Sequence, residues 1–297
     1  MQFCSTMAHQ NCLHFCIQTM AVLIDPVNWL SLAPSVVVFD LEFVGDITDP
    51  LNCHLWEIGA VHLVSGDLFH VIVDPQLSTI PTAIPGCFDL TQKFLNESAV
   101  PLAEGLNRFT NWMQKYRLLI SHNGFKSDMA VLQGSYLRCN LKLPPWLFLD
   151  SLLILRQQVK LNNYKLQTIY HHFCRSSMKE SHRALPDAVA LKQVLYVSGG
   201  LPHRTFAYPM GFTPLQNIKG IGYACETVLF WRGILSVEQL ILKVKSLHAH
   251  RWLWTRVKML DTVLRFLLQC QLPLHNLVPL QQEILWHING KPECCTE

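Results

Sequence analysis

The chain has 297 residues, of which 50% are hydrophobic and 15% are charged. This composition supplies enough apolar surface for a packed core and too little charge for a disordered chain or a coiled coil. No run of eighteen apolar residues occurs, so we predict no membrane-spanning helix. Polar residues interrupt the apolar N-terminal segment and no basic segment precedes it, so we predict no signal peptide and no membrane partner.

The charges are unevenly distributed along the chain. Residues 1–92 contain nine acidic residues and no Lys or Arg, whereas residues 93–297 contain all 24 basic residues and 12 acidic ones. This separation suits a cation site beside a surface that binds a polyanion, although blocks of charge are also common on solvated faces. The eleven cysteines form no C-x-x-C pair, so we expect reduced thiols in an intracellular protein.

The elements in chain order predict an α/β fold. Residues 35–43 follow Pro34 as a short β-branched run, which is typical of a buried central strand. Residues 54–64 and 67–73 are joined by Ser65-Gly66 and predict a hairpin of two further strands. Helices and strands then alternate: helices are predicted at residues 101–116, 127–138, 164–174 and 187–197, and strands at 118–121 and 146–150. This order predicts a mixed sheet in a layered fold.

The segment Gly199-Gly200-Leu201-Pro202 predicts a domain boundary, because glycine and proline interrupt regular structure. Beyond it the strand patterns stop, and residues 213–269 have helical spacing of apolar side chains. We therefore predict an N-terminal extension at residues 1–34, an α/β domain at 35–200 and an all-α region at 201–297.

Acidic side chains stand at three places where a metal site is plausible. Asp40 and Glu42 lie two residues apart on the predicted central strand, so both project from the same face. Two adjacent carboxylates repel each other and are costly to bury without cations, unless the strand ends here and water surrounds both. Asp128 and Asp187 each open a predicted helix, where an acid also has the plain role of favouring the helix dipole. His182 precedes Asp187 by five residues. The alternative interpretation is that it is an ordinary loop histidine.

Three motifs in this order resemble the DEDDh exonucleases over about residues 35–197. They are F-D-L-E-F at residues 39–43, H-N-G-F-K-S-D at 122–128 and H-R-A-L-P-D at 182–187. The spacing of the second motif, and the segment Y-K-L-Q-T-I-Y at 164–170 before the third, are similar to the three-prime repair branch of that family. A further and closer resemblance is to the exonuclease-like C-terminal region of the promyelocytic leukaemia protein group. Members of that group can lack the catalytic acids, whereas this chain retains all four.

The resemblance implies a fold and an activity. The fold would be RNase H-like, with a mixed five-stranded sheet flanked by helices. The activity would be a 3′-to-5′ exonuclease that releases nucleoside monophosphates. The alternative is a catalytically silent module that binds nucleic acid or protein. The implied partner is nucleic acid with single-stranded or frayed 3′ ends, with DNA favoured. A nuclear location is favoured over the cytoplasm, and a homodimer is left open.

The resemblance also implies the site residues. Two Mg²⁺ ions, with Mn²⁺ able to substitute, would be held by Asp40, Glu42, Asp128 and Asp187. His182 would be the general base, because an imidazole accepts a proton at physiological pH. The terminal nucleotide would lie against Leu41, Phe43, Val44 and Asn123, with Asn123 expected chiefly to support its turn. Many relatives carry a Thr pair at the positions of Phe43 and Val44 and an aromatic residue at that of Ser127.

Residues 215–225 look like a helix-hairpin-helix turn. Lys219, Gly220 and Gly222 would place backbone amides against a phosphate, although an αα-corner is nearly as good an interpretation. Further along, Arg251 and Arg256 are interleaved with tryptophans, which suits either a grip on nucleic acid or core tryptophans under a solvated basic face.

Overall fold

The structure is a computed structural model, and it describes most of the first 246 residues. The described residues are 22–24, 29, 31–47, 52–77, 91–178, 182–200, 205–218, 221 and 223–246. Five residues proposed to bind nucleic acid lie outside this part: Lys219, Gly220, Gly222, Arg251 and Arg256. The chain divides into two compact units, residues 1–211 and 212–297.

The first unit is built on a seven-stranded mixed sheet. Its strands in space follow the order β1-β7-β6-β5-β2-β3-β4. The central strand β2 is antiparallel to β3 and parallel to β5, which is in turn parallel to β6. The strand bounds are β1 Val22–Ile24, β2 Val36–Val44, β3 His54–His62, β4 Leu68–Ile72, β5 Leu118–Ser121, β6 Leu147–Asp150 and β7 Thr205–Pro209.

The five predicted strands are all present, and the prediction of a mixed sheet flanked by helices is confirmed. The strand number was wrong, because β1 and β7 pair with each other and extend the sheet beyond β6. The strand β7 lies in the region predicted to be all-α, so the sheet extends past residue 200. All five residues of β7 are buried and the last is Pro209, so the segment shows neither alternation nor an unbroken β-branched run.

Six helices accompany this sheet in the part of the first unit that the structure describes. They are α1 Gln92–Ser98, α2 Leu102–Trp112, α3 Asp128–Arg138, α4 Ser151–Gln158, α5 Leu166–Cys174 and α6 Ala184–Val197. The last begins three residues before its predicted start at 187, because Pro186 lies in the first turn, where its missing N–H has no helical partner to lose. The core between the sheet and α6 contains the buried side chains of Val36, Val38, Ile120 and Leu191.

Gly59 lets α6 approach the sheet closely. A Cβ at this position would lie 2.1 Å from the backbone nitrogen of Leu185, so no other residue fits without a shift of backbone. Gly59 is opposite Asp40 in the antiparallel pairing of β2 and β3. The close packing therefore brings the start of α6, with Asp187, to the acidic part of β2.

The second unit has two described helices, α7 Tyr223–Trp231 and α8 Val237–Ser246. The predicted helical stretch is interrupted between them, because Gly233 has a positive φ of 74° and ends the first helix. Thr213 lies before α7, and its N–H donates to both carboxylate oxygens of Glu238 on α8, each at 3.2 Å. In the described part of the chain, no helix has the length and apolar character needed to cross a membrane.

Candidate active site

Three carboxylates meet at the end of β2. Asp40 and Glu42 project from the same face of the strand, and Asp187 comes from the first turn of α6. One oxygen of each acid lies within 4.8 Å of the other two. Oδ1 of Asp187 is buried and accepts no hydrogen bond from the described residues. Hard divalent cations prefer such carboxylate oxygens, so the donor set fits a metal ion.

The charges of these acids are disfavoured in the folded protein. Desolvation raises the pKa of Asp40 well above its usual range, and repulsion from Asp128, Glu42 and Asp187 raises it further. Desolvation, followed by repulsion from Asp187, raises the pKa of Glu42 to about 8. Desolvation likewise raises the pKa of Asp187 to about 6, against a hydrogen bond from the His182 N–H. Bound cations would remove this cost by neutralising the cluster.

Asp128 lies beside the cluster but is occupied by hydrogen bonds. Its Oδ1 accepts from the Leu41 N–H at 3.1 Å, and its Oδ2 accepts from the Ser127 hydroxyl at 2.7 Å. Desolvation raises its pKa to about 6 although these bonds oppose the shift. Asp128 therefore fixes the backbone between Asp40 and Glu42, and its role as a fourth metal ligand stays a prediction.

His182 lies at the edge of the same cluster, in the turn before α6. Its backbone is left-handed, with a φ of 69°, and its N–H donates to Asp187 Oδ2 at 3.2 Å. The side chain is exposed and, with Asp187, lines a cleft of about 600 Å³. The other lining residues are His122, Asn123, Leu152, Arg156, Tyr164, Lys165, Leu166, Gln167 and Met178.

Of the four residues predicted to hold a terminal nucleotide, one lines the cleft and three are not among its described lining residues. Asn123 lines the cleft, whereas the described lining does not include Leu41, Phe43 or Val44. Leu41 is buried, and Val44 packs against the hydrophobic cluster around Trp56. A nucleotide contact from these three positions stays a prediction.

Asp150 holds the turn that leads to Asp128, and sequence analysis missed this role. Its Oδ1 accepts from the Asn123 N–H and from the Leu152 N–H, both at 2.9 Å, and its Oδ2 accepts from the Phe125 N–H at 3.2 Å. The same carboxylate therefore caps α4 and orders a turn in which Asn123 has a φ of 61°. An Asp between a strand and a helix is a capping signal that would have marked it.

His122 also supports this turn. Its ring nitrogens contact the Ser151 hydroxyl at 3.0 Å and the Tyr164 carbonyl at 2.6 Å. Desolvation lowers its pKa, so the ring is neutral near pH 7 and the nitrogen facing the carbonyl donates. The ring joins the turn to the segment before α5, where Tyr164 and Lys165 also line the cleft.

A second missed residue, Glu57, lies on β3 opposite Glu42. Its side chain is completely buried and contacts His70 and Arg183. A lone acid in the apolar run of β3 was the signal available in the sequence.

The α/β fold and the acidic cluster together define a nuclease-like site, and comparison with known proteins agrees. Residues 37–195 match a family model described as exonuclease, of the RNase T type. The match covers more than half of the chain and encloses every acid of the cluster, so the chain belongs to this exonuclease family. Membership supports a nuclease that acts on nucleic acids. Members of this family normally use divalent metals, and the acidic cluster of this chain is suited to holding one.

A solved structure with a similar fold is Exonuclease I of E. coli in complex with a dA16 oligonucleotide. It is 16% identical in sequence with a TM-score of 0.44, and the alignment covers 55% of this chain and 40% of that chain. The chain thus spans less than half the length of this relative. No curated protein sequence matches the chain.

Proposed function

We propose that this protein is a metal-dependent 3′-to-5′ exonuclease that releases nucleoside monophosphates. The observation that carries the proposal is the convergence of Asp40, Glu42 and Asp187, with carboxylate oxygens within 4.8 Å of one another, inside the region matched to the exonuclease family. Such a cluster of partly desolvated carboxylates is suited to holding cations.

Two Mg²⁺ ions would be held by Asp40, Glu42 and Asp187, with Asp128 as the fourth acid. When bound, divalent ions neutralise the phosphodiester charge and generate hydroxide at neutral pH. Oδ1 of Asp187 accepts no hydrogen bond from the described residues, and this supports the ligand set, because a buried carboxylate oxygen needs a hydrogen-bond donor or a cation.

His182 supplies the proton acceptor. Its exposed imidazole accepts the proton of the attacking water, and the hydrogen bond from its N–H to Asp187 holds it beside the acids. The cleft next to it receives the terminal nucleotide, and Asn123 lies on its wall. Arg156 and Lys165 line the same cleft, where positive charge favours a phosphate backbone.

The proposed substrate is a 3′ end that is single-stranded or frayed, with DNA favoured over RNA. The cleft of about 600 Å³ offers room for a terminal nucleotide, and a strand end that is unpaired reaches it without opening a duplex. Resemblance to the promyelocytic leukaemia protein group, and the nuclear location that it favours, belong to the same proposal.

The test uses purified full-length protein and matched DNA and RNA strands. Strands labelled at the 5′ end should shorten in steps, and strands labelled at the 3′ end should release labelled mononucleotide at once. Mg²⁺ should be required, Mn²⁺ should replace it, and a chelator should stop the reaction. Binding of strands without hydrolysis in either metal would favour the silent binding module instead.

A further inference from the structure

Glu57 uses its two carboxylate oxygens on two different partners. Its Oε1 lies 2.7 Å from Nε2 of His70, and its Oε2 accepts from Nε of Arg183 at 2.9 Å. Glu57 is 0% exposed, and burial alone would raise its pKa. The hydrogen bonds from His70 and Arg183 outweigh burial and hold the pKa of Glu57 below its usual range. Glu57 and Arg183 therefore form an ion pair.

Arg183 connects this buried acid to the candidate base. It follows His182 directly and precedes the first residue of α6. Its carbonyl accepts from the Asp187 N–H at 3.0 Å, while the His182 N–H donates to the Asp187 carboxylate. The backbone on both sides of Arg183 is thus tied to Asp187, and its side chain is tied to the strand next to β2.

The turn needs such an anchor. His182 lies in the left-handed region, which residues with a side chain adopt uncommonly and at some cost in free energy. The guanidinium also lies 5.9 Å from the centre of the Phe94 ring, so it is fixed by packing as well as by charge. Buried ion pairs contribute little to stability relative to apolar replacements, and their better-attested use is to specify one geometry.

We propose that Glu57, acting through Arg183, is a positioning residue that fixes His182 beside the acidic cluster. This inference rests on the proposed function, because it assigns a partner to the base of that reaction. Glu57 and Arg183 themselves hold no metal in this scheme and transfer no proton.

The test is a double-mutant cycle on the full chain, with hydrolysis of an end-labelled strand in Mg²⁺ as the readout. Arg183→Ala should lower kcat roughly 10–100-fold and change KM less than about threefold, because the misplaced base affects the chemical step. Arg183→Lys, which keeps one donor for Glu57, should recover most of the loss. In a His182→Ala background, adding Arg183→Ala should change kcat by less than about twofold.

The matched control removes an arginine from an ion pair elsewhere. Arg108 pairs with Glu104 on the exposed face of α2, and Arg108→Ala should keep kcat within about twofold of wild type. Melting temperatures of all variants report folding. If Arg183→Ala fails to fold, Glu57→Gln replaces it in the cycle.

The outcomes separate the two proposals. An Arg183→Ala loss that is equally large with and without His182 would overturn the positioning role and assign the effect to the acids or the fold. Wild-type kcat in Arg183→Ala and Glu57→Gln would overturn it as well, while the proposed function would survive. A wild-type protein without metal-dependent hydrolysis would overturn both.

Discussion

The two parts of the candidate active site are held in place by different means. Asp40 and Glu42 lie on β2, which pairs with β3 as far as Val44 and with β5 at its start, so sheet register sets their positions. His182 lies in a left-handed turn, and its position depends on contacts made by Arg183 and Asp187. Backbone pairing therefore places two of the proposed metal ligands, Asp40 and Glu42, whereas side-chain contacts place the proposed base. Substitutions should be able to separate metal binding from proton transfer.

The largest effect is expected from Asp40→Asn, which removes one charge from the cluster without changing its shape. Turnover should fall roughly 10³-fold or more, because a metal ligand contributes several kcal/mol to the reaction. Binding of an oligonucleotide should change little. In chelator, the variant should melt at a higher temperature than wild type, because desolvation and repulsion by neighbouring acids disfavour the Asp40 charge.

Glu97→Gln is the matched control, because Glu97 is an exposed acid on α1. It should leave turnover and melting temperature unchanged. An Asp40→Asn protein that hydrolyses strands at nearly the wild-type rate would remove Asp40 from the mechanism.

His182→Ala tests the other half of the comparison. Hydrolysis should slow by roughly 10²–10⁴-fold, the usual contribution of a positioned general base. The rise in melting temperature on adding Mg²⁺ should equal that of wild type, because the acids are untouched. Activity and metal-induced stabilisation are measured on the same preparations. His171→Ala, an exposed histidine on α5, should affect neither quantity.

If Mg²⁺ no longer raises the melting temperature of His182→Ala, His182 acts at the metal. The proposed division, in which sheet register places Asp40 and Glu42 and the turn places only the base, is then wrong. If the rate is unchanged, His182 is an ordinary loop histidine.

Gly59→Ala should disturb both parts together, because Gly59 on β3 pairs with Asp40 of β2 and packs against the start of α6. The new Cβ would lie within 2.4 Å of backbone atoms of Ala184 and Leu185, so α6 must move. We expect a loss of about 1–3 kcal/mol in the free energy of unfolding and roughly 10–100-fold in kcat as Asp187 is displaced. Urea unfolding and strand hydrolysis measure the two effects.

Gly199→Ala is the control for backbone strain without a steric clash. Gly199 also has a positive φ, 80°, but a Cβ there would meet no atom within 4 Å. It should lose about 1 kcal/mol of stability and keep wild-type kcat. Equal kcat in the two glycine variants would show that α6 does not need this close approach to place Asp187.

Whether a site residue could be predicted from the sequence depends on how far apart in the chain its contacts lie. The shared face of Asp40 and Glu42 follows from the two-residue period of a strand, which is a local property. Glu57 and Arg183 are 126 residues apart, and Asp150 reaches Asn123 across 27 residues. No local pattern contains such contacts, so the positioning residues required the structure.

Two predictions of secondary structure were wrong for a similar reason, namely the start of α6 and the absence of β7. Pro186 marked a helix start at 187, whereas the close packing at Gly59 is formed by Ala184 and Leu185, inside a helix that begins earlier. The strand β7 is fully buried and short, and its identity is set by pairing with β1 and β6.

The smallest effect concerns the pH dependence of stability in chelator, and it isolates Glu42. The folded pKa of Glu42 is about 8, above its ordinary value of 4.5, so the folded protein binds more protons than the unfolded chain between these limits. The free energy of unfolding should therefore fall as pH rises through this window, by at most about 1.4 kcal/mol per pH unit for one group.

Glu42→Gln should flatten this fall, and the difference from wild type should extend above pH 6, where Asp128, Asp150 and Asp187, each with a pKa of about 6, have largely ionised. Groups that do not interact with Glu42 cancel in this difference, whereas the pKa of Asp40 also falls when the repulsion from Glu42 is removed. Saturating Mg²⁺ should also flatten the wild-type curve, because bound cations favour the ionised carboxylates at every pH. Urea unfolding at each pH, with and without Mg²⁺, measures these slopes. Identical slopes for Glu42→Gln and wild type in chelator would mean that Glu42 is already ionised without a metal. Its position on β2 would then not raise its pKa.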